Sequence, residues 1–285
     1  MTSRLSVHAI ADDDVPESAQ YLHDRLNSRV SVDAWMELLR PPWHPAGDRG
    51  FALRRDGRLV GVYAAVRSER AVGAQVVPVC NLAAFCVDDG ERAQGLRLVR
   101  ALLADKQGFF TDLSPSGNVV ALNERLGFRR LDPRASLTLN LPRAPRRGIR
   151  LSEDPEAIAT ALSPDDRRIH RDHLHARAAR HLLIEGSGSY AYLVYRRDRR
   201  KRLPLFATPL YVGGDRDLLR RAWPIVRGRL AGHGLIFTLS EPRLLGFSPP
   251  LSIALTHPRA RMVRGNGWPD DAVDYLYSEF ALVSW

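Results

Sequence analysis

A glycine-containing turn between a strand and a helix is the first feature of this 285-residue chain that could bind a ligand. The stretch Val87–Leu103 reads VDDGERAQGLRLVRALL. It predicts a strand that ends at Val87, a loop over Arg92–Gly95 and a helix that begins at Leu96. Unpaired N–H groups at the start of a helix attract anions, and Gly95 has no side chain to block a close approach. The turn therefore predicts an anion site that would suit a phosphate.

A second motif follows at 114–128, where the sequence reads SPSGNVVALNERLGF. It predicts a polar turn, a short amphipathic helix and a helix end at Leu126-Gly127-Phe128. Taken alone, this second motif indicates only a capped helix with an inward aromatic side chain. The second motif becomes informative because of its spacing in the sequence from the first.

The elements around the two motifs predict an α/β fold built on a mixed sheet. Apolar alternation and turn signals give the order β-α-α-β-β-β-α-β-α-β for the first half of the chain. The predicted strands lie at Leu5–Ile10, Phe51–Arg54, Leu59–Val66, Val76–Val87, Phe109–Leu113 and Ala135–Leu141. Helices on the faces of this sheet would complete the architecture.

A segment rich in proline and arginine, Leu141–Arg150, divides the chain near its midpoint. We therefore predict a first domain at 1–143, a linker at 144–150 and a second domain at 151–285. The second half repeats the order of strands and helices more faintly, with a helix that begins at Ser163-Pro164-Asp165. We interpret it as a diverged copy of the first half.

With both motifs in place, the first half resembles the GCN5-related N-acetyltransferases, the GNAT superfamily. The resemblance covers about Arg4 to Pro142 and rests on the order of elements, on Arg92-Ala93-Gln94-Gly95-Leu96-Arg97 and on Leu126-Gly127-Phe128. It implies an acyl-CoA N-acyltransferase-like fold in two tandem domains, of which the second is degenerate. It also implies acetyl-CoA or another acyl-CoA as co-substrate, and a small-molecule or protein amine as acceptor.

The same resemblance implies which residues hold coenzyme A. The pyrophosphate would lie on Arg92–Arg97, and the pantetheine arm would pair with the backbone of the preceding strand. The implied contact residues are Phe85, Cys86, Val87, Arg92, Ala93, Gln94, Gly95, Leu96 and Arg97. In the second half, Val212–Asp217 carries two acids where such a turn would fall, and these would repel a pyrophosphate.

Three residues depart from the family's pattern. Arg97 takes the place of a small residue in the first motif, and Asn123 takes the place of the tyrosine that often protonates the leaving thiolate. No glutamate lies around Cys80 and Asn81, where many members carry a base. The catalytic residues are therefore left unassigned, and a non-catalytic protein that binds CoA or an anionic partner is the alternative to an acetyltransferase.

Four other groups of residues could carry chemistry. His44 could act as a base near the acceptor entrance, and Tyr277 or Glu279, on a predicted strand at 275–280, could reach an active site. Asp166, His170 and His173 share one face of a predicted helix. They could be metal ligands, or they could border the buried face of that helix, and we predict no metal. The basic run at 196–202 is either a solvated hairpin tip or a dock for an anionic partner.

Composition argues against a nucleic-acid-binding protein and against a membrane-spanning one. The net charge is +10, but 40 of the 42 basic residues are arginine and no aromatic pattern accompanies them, which does not favour nucleic-acid binding. No apolar run could span a bilayer, and Cys80 and Cys86 lie about 20 Å apart on one strand, too far to bond. We predict a cytoplasmic protein.

Overall fold

The structure, a computed structural model, describes residues 4–43, 49–72, 75–105, 108–144, 146–200, 203–266 and 268–284. The strands are β1 (Leu5–Ala9), β2 (Gly50–Arg55), β3 (Arg58–Val72), β4 (Gln75–Val87), β5 (Phe109–Asp112), β6 (Arg129–Arg130), β7 (Ser136–Leu139), β8 (Ile149–Ser152), β9 (Arg180–Gly186), β10 (Ser189–Arg200), β11 (Leu203–Gly214), β12 (Phe237–Ser240), β13 (Ser252–Ala254) and β14 (Met262–Arg264). The α-helices are α1 (Val15–Arg25), α2 (Val32–Leu39), α3 (Gly95–Leu102), α4 (Gly117–Arg125), α5 (Pro155–Ala161), α6 (Pro164–His173), α7 (Arg216–Gly232), α8 (Pro242–Leu245) and α9 (Glu279–Leu282). Two 3-10 helices, Asp12–Asp14 and Asp89–Gln94, precede α1 and α3.

Two mixed sheets confirm the predicted α/β fold class. The strand order is β1-β2-β3-β4-β5-β14-β6 in the first sheet and β13-β7-β12-β11-β10-β9-β8 in the second. Each sheet contains one parallel pair, β4 with β5 and β11 with β12. Parallel neighbours need a crossover connection, and α3 and α7 provide it.

The chain divides into two compact units, and neither is a continuous half of the sequence. The first unit contains the residues up to Leu131 together with Ala260–Trp268 and Tyr277–Val283. The second unit contains Asp132–Arg259 and Pro269–Leu276. These bounds differ from the division predicted at 143–151.

Strand pairing explains the difference. The strand predicted at 135–141 forms as β7, but it pairs with β12 and β13 in the second sheet and does not complete the first. Its place in the first sheet is taken by β14, which pairs with β5 and β6. Sequence alternation identifies a strand but carries no information on its distant partner.

Helix α3 packs on the first sheet through one apolar stripe. Leu98, Val99 and Leu102 are buried and lie in the same hydrophobic cluster as Tyr63 and Phe110. The opposite side of the helix is polar and exposed, as expected for an amphipathic crossover helix.

Helix α2 is one of the two helices predicted between the first two strands, and it begins after Ser31. The Ser31 hydroxyl accepts a hydrogen bond from the Ala34 N–H at 3.3 Å, which caps the helix. Trp35 and Leu39 are fully buried one turn apart. The helix therefore forms because its start signal and its apolar spacing agree.

The second unit repeats the element order and pairing directions of the first. Strands β8, β9, β10 and β11 pair antiparallel in succession, as β1, β2, β3 and β4 do. Helix α6 begins at Ser163, whose hydroxyl accepts the Asp166 N–H at 3.3 Å. The predicted helix start is therefore confirmed.

We predict that a proline in β14 unfolds the first unit. Val263 is fully buried and pairs with both Thr111 and Arg129, so Val263→Pro should cost about 3 kcal/mol or more of unfolding free energy. Chemical denaturation measures this loss. Ile253→Pro, on the exposed edge strand β13, is the matched control and should cost clearly less. Equal losses in the two variants would contradict the central position of β14.

Candidate active site

The first sheet opens between β4 and β5. These strands pair only through Val79–Asn81 on β4, but β4 continues to Val87. Among the described residues, no strand pairs with Leu82–Val87 on the β5 side. Backbone N–H and C=O groups at such an edge need partners, so the edge can accept an extended ligand.

A cavity of about 290 Å³ occupies this opening. Residues 82–85 of β4 line it, together with Val119 and Leu122 of α4. Its polar lining residues are Asp112, Ser114, Ser116 and Asn123. The mixture of apolar walls and a few polar groups is typical of a site for a small organic ligand.

A β-bulge reorients β4 where it borders the cavity. Ala64 pairs with Ala84 and Ala65 pairs with Leu82, so Ala83 has no partner on β3. A bulge bends a strand and changes the direction of the side chains that follow. Beyond it, the Phe85 side chain is 40% exposed and lines the cavity.

Gly95 makes room for the Phe85 ring. A Cβ atom at Gly95 would lie 2.8 Å from Phe85 Cζ, which is closer than van der Waals contact permits. The ring also packs edge-on against Tyr63, with the two centroids 4.9 Å apart. The space that we expected an anion to approach is therefore filled by an aromatic wall of the cavity.

The turn that was predicted at Arg92–Gly95 is the end of the 3-10 helix before α3. In such a helix each N–H donates to the carbonyl three residues earlier, and the Gly95 N–H donates to the Arg92 carbonyl. The N–H groups of this turn were expected to be unpaired, and the Gly95 N–H is not. The side chains of Arg92 and Arg97 are exposed, and Arg92 Nη2 lies 2.8 Å from Asp89 Oδ1. Two guanidinium groups are thus what this segment presents to an anion.

The remaining predicted contact residues flank the same segment. Ala93 and Leu96 are exposed, Gln94 is half-buried, and Cys86 and Val87 are half-buried at the end of β4. Burial raises the pKa of the Cys86 thiol, so it is protonated at neutral pH. None of these five side chains can accept a proton from an amine near neutral pH.

Asn123 stands where the family's tyrosine would be, and a buried carboxylate holds it. Asn123 Nδ2 donates to Asp112 Oδ2 at 2.7 Å, and both side chains are buried. Burial raises the pKa of Asp112 to about 6, although the hydrogen bonds from Asn123 and the Ser114 backbone and the nearby Arg261 lower it. This carboxyl group titrates close to neutrality and lines the cavity.

Glu279 supplies the buried carboxylate that is missing from β4. It is 0% exposed, its Oε2 accepts a hydrogen bond from Asn81 Nδ2 at 2.6 Å, and its Oε1 accepts one from Ser114 Oγ at 2.6 Å. Asn81 Oδ1 accepts a further bond from Thr111 Oγ1 at 2.9 Å. A hydrogen-bond chain therefore joins β4, β5 and the cavity residue Ser114 to one carboxylate.

The environment of Glu279 keeps its proton affinity high. Burial raises its pKa to about 7, and the negative Asp112 adds to this effect. Hydrogen bonds from Ser114, Asn81 and its own backbone N–H lower the pKa and so stabilise the anion. At neutral pH this group can both accept and release a proton.

Tyr277 turns the C-terminal segment so that Glu279 reaches this position. Its φ angle is +55°, its ring lies edge-on to Trp43 at 5.0 Å, and the Arg70 guanidinium lies 4.7 Å from its centroid. The next residue, Ser278, accepts the Phe280 N–H at 3.2 Å and begins α9. A left-handed tyrosine is held only by strong packing, which here fixes the backbone before Glu279.

The strand predicted at 275–280 is wrong: residues 275–278 form no strand, and Glu279 begins α9. The alternation of Tyr275, Leu276 and Tyr277 suggested a strand, but a serine followed by an acidic residue is also a helix-start signal. Glu279 was named as a candidate, and its partners on β4 and β5 could not be read from the sequence.

Hydrogen bonds account for the acidic member of the suspected metal triad. The Asp166 carboxylate accepts bonds from the hydroxyls of Tyr190 and Tyr211, each at 2.6 Å. His173 Nδ1 lies 3.0 Å from a backbone carbonyl of its own helix. Within the described ranges, no group of three or more His, Cys, Asp or Glu residues could hold a metal ion.

Part of the basic run at 196–202 is buried. Arg196 lies on β10 and is fully buried, with its Nε 2.7 Å from Asp198 Oδ1. The expectation of a solvated tip is wrong for this arginine, whereas Arg197 and Arg199 are exposed. The last two residues of the run lie outside the described residues, as does His44.

The corresponding opening of the second sheet is bridged by its own chain. Strand β11 pairs with β12 only through Phe206–Ala207, and a few residues further on the Leu210 carbonyl accepts the Tyr275 N–H at 2.9 Å. At the end of β11, Asp215 caps the N-terminus of α7 with its side chain. A carboxylate therefore occupies the helix end that would otherwise attract an anion.

Solved structures of N-acetyltransferases share this arrangement of strands and helices. A GCN5-related N-acetyltransferase from Kribbella flavida is 15% identical, with a TM-score of 0.59, over 92% of this chain and 71% of that chain. One from Anabaena variabilis is 11% identical, with a TM-score of 0.58, over 92% and 72% of the two chains. The chain has the GCN5-related N-acetyltransferase fold. A glucosamine N-acetyltransferase region of a fungal β-N-acetylglucosaminidase also matches this GNAT fold, at 13% identity and a TM-score of 0.58, over 92% of this chain and 38% of that chain.

Sequence comparison adds no relative to this structural likeness. No protein-family model matches the chain, and no curated protein matches it. The GNAT fold is therefore established from structure, and the chemistry must be argued from the site.

No helix within the described residues is both long and apolar enough to cross a membrane.

We predict that Glu279 makes stability depend on pH. Its folded-state pKa of about 7 lies above the usual 4.5, so the folded protein holds a proton that the unfolded chain releases. The unfolding free energy should therefore fall as pH rises from about 4.5 to 7, by roughly 3 kcal/mol, and then level off. Glu279→Gln should remove this part of the dependence and be more stable than the wild type at pH 8.

Urea denaturation of both proteins between pH 5 and 8 measures the difference. Asp112 contributes in the same direction to both proteins and is removed by the comparison. Parallel pH curves for the wild type and Glu279→Gln would show that Glu279 ionises normally in the folded chain.

Proposed function

We propose that this protein is an acyl-CoA-dependent N-acyltransferase whose first unit holds the acyl donor in the opening between β4 and β5. The observation that carries the proposal is the combination of an unpaired strand edge at Leu82–Val87 with an adjoining cavity of about 290 Å³. The acyl-CoA supplies a thioester that an amine can attack. The fold supports this class of reaction because N-acetyltransferases share it.

The pantetheine arm of CoA matches the open edge of β4. It is an extended chain with two amide groups, and these can form backbone-like hydrogen bonds with a strand that lacks a neighbour. Phe85, Cys86 and Val87 lie at the end of this edge, after the bulge at Ala83. The apolar wall formed by Phe85 and Leu122 suits the methylene groups of the arm.

The pyrophosphate would lie near the start of α3. There the proposal relies on the exposed guanidinium groups of Arg92 and Arg97, because the Gly95 N–H is already bonded. Arginine pairs with phosphate through charge-assisted hydrogen bonds, and Arg97 then adds a contact in place of the family's small residue. Asp89, now paired with Arg92, would have to give up that partner.

The second unit is proposed to be a diverged GNAT-like domain without a donor site. Its sheet repeats the pairing of the first, but Tyr275 bridges its opening and Asp215 occupies the helix start. The acceptor is proposed to be a small-molecule or protein amine. Glucosamine is a reasonable first acceptor to test, because a structural neighbour is named for it.

A non-catalytic CoA-binding protein is the second candidate. It is favoured by Asn123, whose amide has no proton to donate to a leaving thiolate. It is opposed by two ionisable groups that binding alone does not require: Asp112 lines the cavity, and Glu279 is hydrogen-bonded to the cavity residue Ser114. Turnover of acetyl-CoA separates the two candidates.

We predict that acetyl-CoA raises the melting temperature. A ligand at about 100 times its dissociation constant stabilises the folded state by about 2.7 kcal/mol, which corresponds to several degrees. Gly95→Glu should abolish the shift, since any Cβ there collides with Phe85 in the cavity wall. Gly232→Glu, which adds the same charge where a Cβ meets no atom, is the matched control and should keep the shift. An unchanged melting temperature of the wild type at millimolar acetyl-CoA would refute the donor site.

We further predict that Arg92 and Arg97 distinguish CoA from pantetheine. Replacing both with alanine should weaken CoA binding at least about tenfold, because charge-assisted hydrogen bonds contribute about 1.5–3 kcal/mol each. Pantetheine has no pyrophosphate, so its affinity should not change. Calorimetric titration measures both constants, and Arg100→Ala, on the exposed side of the same helix, is the control. An equal loss for CoA and pantetheine would show that the arginines act on the fold and do not contact the pyrophosphate.

A further inference from the structure

We propose that Ser114 and Glu279 carry the proton that leaves the attacking amine and return it to the sulfur of CoA. This inference rests on the proposed acyl transfer in the β4–β5 opening. It assigns the proton-transfer role to Ser114, the first residue of the second motif, and to Glu279, which lies outside both motifs.

Ser114 is the member of the pair that can touch a substrate. It lines the cavity, is half-buried, and donates its hydroxyl proton to Glu279 Oε1 at 2.6 Å. It lies two residues after the end of β5, the strand that parts from β4 to form the opening. A hydroxyl whose proton is already directed at a carboxylate has its oxygen lone pairs free to accept another proton.

Glu279 acts through Ser114 and does not line the cavity. It is 0% exposed, and a second hydrogen bond from Asn81 fixes its orientation. Its carboxylate therefore cannot be reached by an acceptor directly, and the serine is its connection to the cavity. In this arrangement Ser114 is the catalytic residue, and Glu279 is the residue that holds the proton.

The other polar groups of the cavity are less suited to the task. Asn123 has an amide that does not titrate, and its Nδ2 already donates to Asp112. Asp112 is the competing proton carrier, since its carboxyl group lines the cavity. One of its oxygens is occupied by Asn123, however, and no hydroxyl group links it to another base among the described contacts.

The proton transfers balance within one reaction. As the N–C bond forms, the amine nitrogen gives its proton to Ser114 Oγ while the serine's own proton moves to Glu279. As the C–S bond breaks, Glu279 returns a proton to Ser114, which passes one to the sulfur of CoA. The products are the amide and the free thiol, and both residues regain their starting states.

The charges around Glu279 favour such an exchange. Asp112 faces it from β5 and Tyr63 from β3, and burial raises the pKa of Tyr63 well above its usual value, so the tyrosine is neutral at pH 7. The Arg261 side chain stacks on Phe280, the next residue, at 5.3 Å. Burial favours the protonated form and three hydrogen-bond donors favour the anion, so neither form dominates near neutrality.

The experiment compares Ser114→Ala and Glu279→Gln with Ser6→Ala and Glu124→Gln, which change exposed residues of the first unit. Release of CoA from acetyl-CoA is measured with hydroxylamine and with glucosamine as acceptors, and the dissociation constant of acetyl-CoA is measured by titration. Both test variants should lose at least about 100-fold in kcat, the usual range for a proton-transfer group, with acetyl-CoA binding unchanged. The control variants should match the wild type.

A pH profile separates proton transfer from a structural role. The wild-type kcat should rise with pH through an apparent pKa near that of Glu279, about 7, and this limb should be absent in Glu279→Gln. Glu279→Gln keeps the shape of the side chain, and Ser114→Ala removes only a hydroxyl at the cavity. Melting curves of both variants verify that they are folded.

Each contrary result has a definite meaning. Wild-type rates in either variant, or a 100-fold loss in Asp112→Asn with none in Glu279→Gln, overturn the assignment. If acetyl-CoA binds but no CoA is released in the presence of either acceptor, the assignment is also overturned. The proposed donor site is then still supported. Absence of acetyl-CoA binding overturns the proposed function itself.

Discussion

The parting of β4 from β5 after Asn81 is the constraint on which the rest of the first unit depends. Up to that residue the two strands share parallel hydrogen bonds, and beyond it β4 is unpaired on that side. Asn81, at which the pairing ends, forms side-chain hydrogen bonds with Glu279 and Thr111. The opening and the buried carboxylate are therefore consequences of one local arrangement.

Packing keeps the opening from closing. The bulge at Ala83 bends β4 and the Phe85 ring lies over Gly95, so the strand is supported by α3 where it lacks a neighbouring strand. The second sheet shows the alternative outcome, since there the chain itself bonds to Leu210 across the gap. An open edge inside a folded unit is costly unless a ligand uses it, which is why it points to function.

A buried carboxylate carries a similar cost. Glu279 and Asp112 both lie in the first unit, and burial raises the pKa of each towards neutrality. A structural role would be served as well by a neutral amide, whose oxygen could accept from Asn81 and whose N–H could donate to Ser114, without the loss of stability at higher pH. Ionisable groups kept at such a cost beside a cavity are typical of acid–base chemistry.

Most helices and strands could be predicted from local sequence signals, whereas the pairing of distant strands could not. The helix start at Ser163 and the end of β4 at Val87 depend on neighbouring residues, so the sequence was sufficient to predict them. The pairing of β7 in the second sheet and of β14 in the first depends on partners roughly 100 residues or more away and could not be predicted.

The candidate site shows the same limit. The resemblance directed attention to the end of β4, where Phe85 lines the cavity, but the hydrogen bonds of Glu279 to Asn81 and Ser114 span 198 and 165 residues of sequence. The sequence indicated that the missing side chain of Gly95 leaves room for an anion, whereas in the structure the Phe85 ring of β4 takes up that space.

The most direct test of the account is a crystal structure of the protein with CoA. We expect the pantetheine arm to lie along Leu82–Val87 with its thiol directed towards Ser114, and the pyrophosphate to lie between Arg92 and Arg97. Density for CoA elsewhere on the chain, or a pantetheine arm that makes no hydrogen bond to β4, would contradict the central claim.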